Sequence, residues 1–264
     1  MTARDRTAAE ALIEDHRRHA RFAPLAPELT PRTLAEAYAV QDAFVALKST
    51  AWGEPAGWKI ALTTPSMRAL TGLDDPIAGV LHQRQILRSP ARVRGADYAR
   101  LIVEFEIAVE LSADLLVAGE PCTRERVDSA IGAVMPAFEL ADDRNADYAN
   151  LRARGLELIA DNAWNEGAVL GAPVRDWRDL DLAALRGVAF VNGDKVGEGR
   201  GGDAMGHPSE VVAWIANNLA ARGKRLAKGD VVITGSLVPS VFPGPGDRLR
   251  FDAGPLGAVE LFIE

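Results

Sequence analysis

Residues 103–111 read Val-Glu-Phe-Glu-Ile-Ala-Val-Glu-Leu, an alternation that sets Val103, Phe105, Ile107, Val109 and Leu111 on one face of an extended strand and Glu104, Glu106 and Glu110 on the other. Along such a strand the Cα atoms of Glu104 and Glu106 lie roughly 6.6 Å apart with both side chains on one side, a gap that two carboxylates can close around one cation. A solvated outer face is the competing reading. Such faces usually mix acids with Thr, Lys and Arg, however, and like charges side by side repel. This stretch alone leaves both readings open.

A third acid bears on the choice. Glu139 sits in Val134-Met135-Pro136-Ala137-Phe138-Glu139-Leu140-Ala141, where its neighbours on both faces are apolar and a lone ionised carboxylate is expensive to bury. A salt bridge, for example to Arg144, would neutralise it. A hard cation shared with Glu104 and Glu106 accounts for all three acids at once, and oxygen-only ligation without paired Cys or His points to Mg²⁺ or Mn²⁺ rather than Zn²⁺. Lys59, within Gly57-Trp58-Lys59-Ile60-Ala61-Leu62, places an ammonium in an apolar strand. It is either a snorkelling side chain at a strand end or, beside three carboxylates and a metal, a group that holds a substrate carboxylate or moves protons.

Working outward, apolar residues recur at helical spacing from about Thr7 to Ala20, and again after Thr30-Pro31 to about Leu47, with Thr30 read as an N-cap. Beyond Gly57 the pattern changes to short apolar runs bounded by Gly, Pro and Asp. Strands are expected over 58–62, 102–111, 135–141, 168–170, 188–191, 231–234, 249–251 and 258–263. Asn192-Gly193 is a two-residue hairpin signal between Val191 and Lys195-Val196. Helices are expected over 124–134 and 208–222, with Gly223 ending the latter. Strands and helices do not alternate regularly, which disfavours a doubly wound parallel sheet and favours a mixed α+β core.

Composition narrows the function classes. A chain of 264 residues can bury a sizeable core, and a formal charge of −7 without any Lys/Arg-rich run argues against a nucleic-acid partner. Apolar runs are too short and too acidic for a membrane span, and the N-terminus does not resemble a signal peptide, so a cytoplasmic location is expected. The single cysteine, Cys122, excludes an intramolecular disulfide and a Cys-based metal cluster.

Taken together, the motifs resemble those of the 2-keto-4-pentenoate hydratase and 4-oxalocrotonate decarboxylase family, within the fumarylacetoacetate-hydrolase superfamily. The resemblance rests on Gly57-Trp58-Lys59-Ile60-Ala61-Leu62-Thr63, Val103 to Ala108, Pro136 to Leu140, Asp161-Asn162-Ala163, Gly206-His207-Pro208, Ala213-Trp214 and Thr234-Gly235-Ser236, in that order over nearly the whole chain. It implies a mixed β-roll over 57–264, with residues 1–56 as an N-terminal helical region packed on it. Glu104, Glu106 and Glu139 are then metal ligands, for Mg²⁺ or alternatively Mn²⁺. Lys59 becomes the proton shuttle, Asp161 a further catalytic group, and Leu62, Asn162, Thr234 and Ser236 substrate-binding residues. The partners it implies are a small 2-oxo acid as substrate, further copies of the chain, and an associated pathway decarboxylase or aldolase. The implied reaction is hydration of a 2-hydroxy-2,4-dienoate to a 4-hydroxy-2-oxo acid. Alternatives are decarboxylation of a 2-oxo-3-enedioate, hydrolysis of an acylpyruvate carbon-carbon bond, and an idle partner subunit.

The chain departs from the family pattern at Trp164, where Ser is usual after Asp-Asn-Ala, at Asp143, and at Arg200 and Asp203. Gly197-Glu198-Gly199-Arg200-Gly201-Gly202 looks like a nucleotide loop but follows a hairpin rather than the first strand of a βαβ unit, so a hairpin return with close backbone packing is expected. His207, at a helix start, is expected to serve local turn geometry. His16 and His19 are expected on a solvated basic face around Arg17-Arg18.

Overall fold

A computed structural model describes residues 1–117 and 119–264. In chain order the elements are α1 (Ala3–Arg17), α2 (Leu34–Trp52), β1 (Pro55–Ala61), α3 (Pro65–Thr71), β2 (Ile77–His82), β3 (Ile86–Arg88), β4 (Ala91–Val93) and β5 (Leu101–Leu111). They continue with α4 (Arg124–Ala130), β6 (Ile131–Asp142), α5 (Gly155–Ala160), β7 (Asn165–Leu170), β8 (Arg186–Val191), β9 (Asp194–Arg200), α6 (Pro208–Ala220), β10 (Val231–Val241), β11 (Arg248–Asp252) and β12 (Ala258–Ile263).

Two sheets result. The larger runs β2-β1-β10-β5-β6-β7-β3, with β1–β10 and β3–β7 parallel and the other pairs antiparallel. It curls until β2 lies against β7, forming a roll. The smaller runs β4-β12-β11-β8-β9. Phe105 of β5, Phe138 of β6 and Phe251 of β11 are fully buried where the sheets meet, with ring centroids 5.5 and 5.8 Å from Phe105 in edge-on contacts. This is the apolar face read from residues 103–111. The other face carries the glutamates and then small residues, Ala108, Ala133, Ala137 and Ala168, which let the curled sheet close on itself. The architecture is the mixed α+β roll that the sequence implied.

The N-terminal helices pack on each other and, through α2, on α5, burying Ala8, Leu12, Val40, Phe44 and Ala160. Several boundaries differ from expectation by a few residues, and two of them have a local cause. The N-cap of α2 is Thr33, whose hydroxyl accepts the Glu36 N–H, while the Thr30 hydroxyl donates to carbonyls of the preceding turn. Helix α4 stops at Ala130 because Ile131 already pairs in the sheet, opposite Leu111. Strand β2, uniformly buried, was not anticipated, since a short run buried on both faces has no alternation to betray it.

Asn192 and Gly193 take φ of 54° and 90° and join β8 to β9 as a hairpin. The glycine-rich stretch beyond it is strand: β9 runs so close to β10 that a Cβ on Gly199 would lie 1.8 Å from the Leu237 carbonyl oxygen. This is the hairpin return with close backbone packing expected of the stretch. Gly199→Ala is expected to cost about 1–3 kcal/mol in urea unfolding, as overpacking against backbone does, while Gly244→Ala stays within about 0.5 kcal/mol. Gly244 has open space around its missing Cβ. Equal midpoints for the two variants would contradict this account.

Candidate active site

Strand register builds the site. Glu104 of β5 stands directly opposite Glu139 of β6, and Glu106 opposite Ala137, so the three acids share one face of the roll. One carboxylate oxygen from each lies within 4.8 Å of the others. Glu106 and Glu139 are fully buried, Glu104 partly. Each is gripped once: Glu104 Oε1 accepts the Ser240 hydroxyl at 2.6 Å, Glu106 Oε2 the Gly235 N–H at 2.7 Å, and Glu139 Oε1 the Asn165 amide at 3.0 Å. Lys59 Nζ lies 2.9 Å from Glu139 Oε1. The alternative pairing of Glu139 with Arg144 does not form, because Arg144 is bonded to Asp161 at 2.5 Å.

Two buried carboxylate oxygens, Glu106 Oε1 and Glu139 Oε2, have no hydrogen-bond partner among the described residues. Such oxygens are costly unless something positive faces them. Three converging hard oxygen donors with unsatisfied lone pairs fit a hard divalent cation. Without one, burial and the charges of Glu139 and Glu104 push the Glu106 carboxyl well above its usual range. Burial likewise raises Glu139 to about 7 against the opposing pull of Lys59. For Lys59, burial favours the neutral amine, but the charges of Glu139, Glu104 and Glu106 outweigh it and hold the ammonium above its ordinary value.

The Gly235 contact comes from a bulge. The pairing of β10 with β5 shifts between Ile233 and Ser236, Gly235 takes φ of 98°, and its N–H turns to Glu106. Thr234 pins this bulge by donating to the Ile107 carbonyl at 2.9 Å, and Ser236 donates to the Val238 carbonyl at 2.7 Å. Across the roll, Asn162, Ala163 and Trp164 are consecutively left-handed, with φ of 53°, 52° and 60°. The Asn162 side chain clamps this segment to both backbone groups of Val80, at 2.8 and 2.9 Å, and the Ala163 carbonyl accepts Lys59 Nζ at 3.3 Å.

Asp161 is wholly buried and held by Arg144 and by His16 Nε2 at 2.6 Å. His16 Nδ1 lies 2.9 Å from Glu166, which also binds Lys48 at 2.8 Å. Burial opposes a charged imidazole, yet Asp161 and Glu166 raise His16 to about 9. His16 therefore does not belong to a solvated basic face; it ties α1 to the core. His207 caps α6, its Nδ1 accepting the Ser209 N–H, as turn geometry required.

A cavity of about 590 Å³ opens beside the cluster. Of the expected residues, Lys59, Leu62, Glu104 and Ser236 line it. Glu106, Glu139, Asp161, Asn162 and Thr234 are not among its lining residues, and the last three serve as buried supports instead. Sequence reasoning missed Asn165, Ser240 and the Gly235 N–H as carboxylate partners. Only Gly235 had a signal, a glycine inside a strand pattern.

Fold and site together define an enzyme class built as a β-roll around a divalent-metal centre. The chain belongs to the fumarylacetoacetate hydrolase family, whose model, described as fumarylacetoacetate (FAA) hydrolase C-terminal, matches residues 65–263. It is 33% identical to the 2-hydroxyhexa-2,4-dienoate hydratase of Comamonas testosteroni, over 92% of this chain and 90% of that one. It is 32% identical to the 4-oxalocrotonate decarboxylase of Pseudomonas putida, over 88% and 85%. Among solved structures it superimposes on the 4-oxalocrotonate decarboxylase of Pseudomonas putida G7, complexed with magnesium and adipate, with a TM-score of 0.89 and 27% identity over 98% and 97% of the chains.

Because Glu106 and Glu139 hold protons more tightly in the folded than in the unfolded chain, the stability they confer on the cation-free protein is complete below the unfolded value of about 4.5. It is lost as pH rises through their folded values, about 7 for Glu139. Cation binding should therefore release protons and tighten from about pH 6 to pH 8, read by calorimetry in buffers of different ionisation enthalpy. Glu106→Gln should weaken binding at least roughly tenfold yet raise the cation-free melting temperature at about pH 8. Buffer-independent heats, or a variant that binds as the parent does, would contradict the assignment.

Proposed function

We propose that the protein is a hydratase that adds water to a 2-hydroxy-2,4-dienoate to give a 4-hydroxy-2-oxo acid. The observation that carries this reading is Lys59: a buried ammonium, 2.9 Å from Glu139, that also lines the cavity beside Glu104. Named relatives with this activity support it. Residues 57–264 form the catalytic unit in this reading, with the helical region 1–56 packed on it.

Glu104, Glu106 and Glu139 would hold the divalent cation, with Mg²⁺ the first choice and Mn²⁺ the second. Such an ion, when bound, supplies Lewis-acid stabilisation for the oxygens of a 2-oxo acid or its enolate. The chain's own residues do the rest. Lys59, anchored by Glu139 and the Ala163 carbonyl, would give its ammonium proton to C5 and, as the resulting amine, take up the proton released by the 2-hydroxyl, giving a 2-oxo-3-enoate and restoring the ammonium. Water then adds its oxygen to C4 and a proton to C3. Leu62 and Ser236 border the substrate, while Asp161, Asn162 and Thr234 act as positioning residues.

A second reading, decarboxylation of a 2-oxo-3-enedioate, is favoured by the decarboxylase match over nearly the full chain. An idle subunit has less support, since the three candidate ligands converge, and hydrolysis of an acylpyruvate bond has less support, since the relatives matched over most of the chain are hydratases and decarboxylases. A small 2-oxo acid partner, a homo-oligomer able to associate with a pathway decarboxylase or aldolase, and a cytoplasmic location complete the proposal. None of the described helices is long and apolar enough to cross a membrane.

Incubation with Mg²⁺ and freshly prepared dienol should remove the dienol absorbance and yield a hydroxylated product of unchanged carbon count. Chelation should abolish this, and Lys59→Met should lower kcat by roughly 10²–10⁴-fold. Release of carbon dioxide selects the decarboxylase instead, and no metal-dependent loss with any dienol removes the hydratase.

A further inference from the structure

The cavity says more about the substrate than the chemistry at its charged end does. Beyond Lys59 and Glu104, its described lining is mostly apolar, with Leu62, Ile102, Leu158, Trp164, Leu237 and Phe242 among its walls, and its other polar groups are neutral hydroxyls apart from Asp203. Lys59 is the one cationic side chain on that lining, and its ammonium is already engaged by Glu139. The remaining charged lining residue, Asp203, is an acid.

Of the guanidiniums that are bonded to or stacked on lining residues, Arg100 is taken up by an acid and Arg68 is turned to the backbone. Arg100, whose guanidinium sits over the rings of Tyr148 and Phe242, makes a two-pronged pair with the buried Asp143, which also accepts the Tyr148 hydroxyl at 2.9 Å. Arg68 donates to the Leu62 carbonyl at 3.1 Å. The Tyr148 phenol is pushed upward by burial and by Asp143, so it stays neutral.

Charge and volume then point the same way. One substrate carboxylate can be met at the cluster, whereas a second, held against the apolar walls, would lose its water with no further lining cation to replace it, and the one other charged lining group is the acid Asp203. A cavity of about 590 Å³ also has room well beyond a five- or six-carbon acid, within the range of roughly 300–1,000 Å³ that encloses drug-sized ligands. Trp164, where the family pattern has a hydroxyl, gives the wall an aromatic surface. It is buttressed edge-on by Phe22 at 5.2 Å and approached by Tyr148 at 6.2 Å.

We propose that this enzyme is built for 2-oxo or 2-hydroxydienoic acids with one carboxylate and a bulky apolar tail, alkyl or aryl, and that it discriminates against dicarboxylic substrates. Trp164 is the specificity-determining residue. The proposal rests on the 2-oxo-acid reading of the metal site, and binding can test it apart from turnover.

Calorimetry on the Mg²⁺-loaded protein with three unreactive ligands separates the two: pyruvate, 2-oxo-6-phenylhexanoate and 2-oxoheptanedioate. The phenyl compound should bind roughly 100-fold more tightly than the dioate, the cost of an unpaired buried carboxylate added to the lost apolar contact. Trp164→Ser should lower the ratio of phenyl-compound to pyruvate affinity about tenfold, a ratio that a general loss of folding does not produce. Equal or tighter binding of the dioate, or an unchanged ratio in Trp164→Ser, overturns the tail preference while leaving the metal site standing. If none of the three binds in a Mg²⁺-dependent way, the 2-oxo-acid reading itself fails and the tail preference with it. Parallel turnover of dienols bearing phenyl and carboxylate tails should follow the same order, and the reverse order also overturns the proposal.

Discussion

Three carboxylates gathered within 4.8 Å inside a sheet roll repel one another and have given up most of their water. Backbone and side-chain donors at Gly235, Asn165 and Ser240 satisfy one oxygen of each, and Lys59 supplies one positive charge. Three negative charges thus meet one ammonium, and the deficit is that of a divalent ion. This balance of charge, more than any single distance, is why a monovalent cation or a lone proton is a poor occupant. A proton can neutralise Glu139 near neutrality, but it leaves the remaining repulsion in place. The cation-free roll is accordingly less stable at the pH where the cluster is fully charged, and stability and cation affinity are two sides of one linkage.

The opposite wall of the site carries strain rather than charge. Consecutive left-handed conformations at Asn162, Ala163 and Trp164 cost on the order of 1–3 kcal/mol each where no glycine relieves them. The segment persists because both of its flanks are over-determined. Asn162 substitutes for a strand partner on Val80, and Asp161 is locked by Arg144 and a protonated His16. Since His16 belongs to α1, the N-terminal helices bear on the conformation that delivers the Ala163 carbonyl to Lys59. They are part of the scaffold of the site although none of their residues lines the cavity.

How far this was legible in the sequence follows from how local each signal is. The alternation of residues 103–111, the apolar surroundings of Glu139 and the Asn192-Gly193 turn are encoded in a few adjacent residues, and they gave the right strands and the three acids that converge. Pairing is not local: nothing in either segment announces that Glu104 stands opposite Glu139, and that they meet was implied only by the need to neutralise Glu139 and by the ordered family motifs. His16 and Asp161 touch across 145 positions, and beside Arg17 and Arg18 the histidine reads as surface. The helix expected to run to residue 134 failed for a related reason, since Ile131 onward is captured by sheet pairing that local propensity does not see.

The proposed specificity wall and the anchor of the proposed proton shuttle lie in one segment. Trp164 forms part of the apolar wall, and its neighbour Ala163 holds Lys59 through the peptide carbonyl. A change of side chain at 164 that altered the left-handed backbone there would move the Lys59 anchor as well. The indole is also braced by Phe22 and Tyr148, and Phe22 in turn lies under the Arg144 guanidinium that locks Asp161. Wall, anchor and ion network therefore form one packed unit. In this chain the wall at Trp164 cannot be exchanged without bearing on Lys59, the proposed proton shuttle, and the indole there is held by the aromatic bracing behind it.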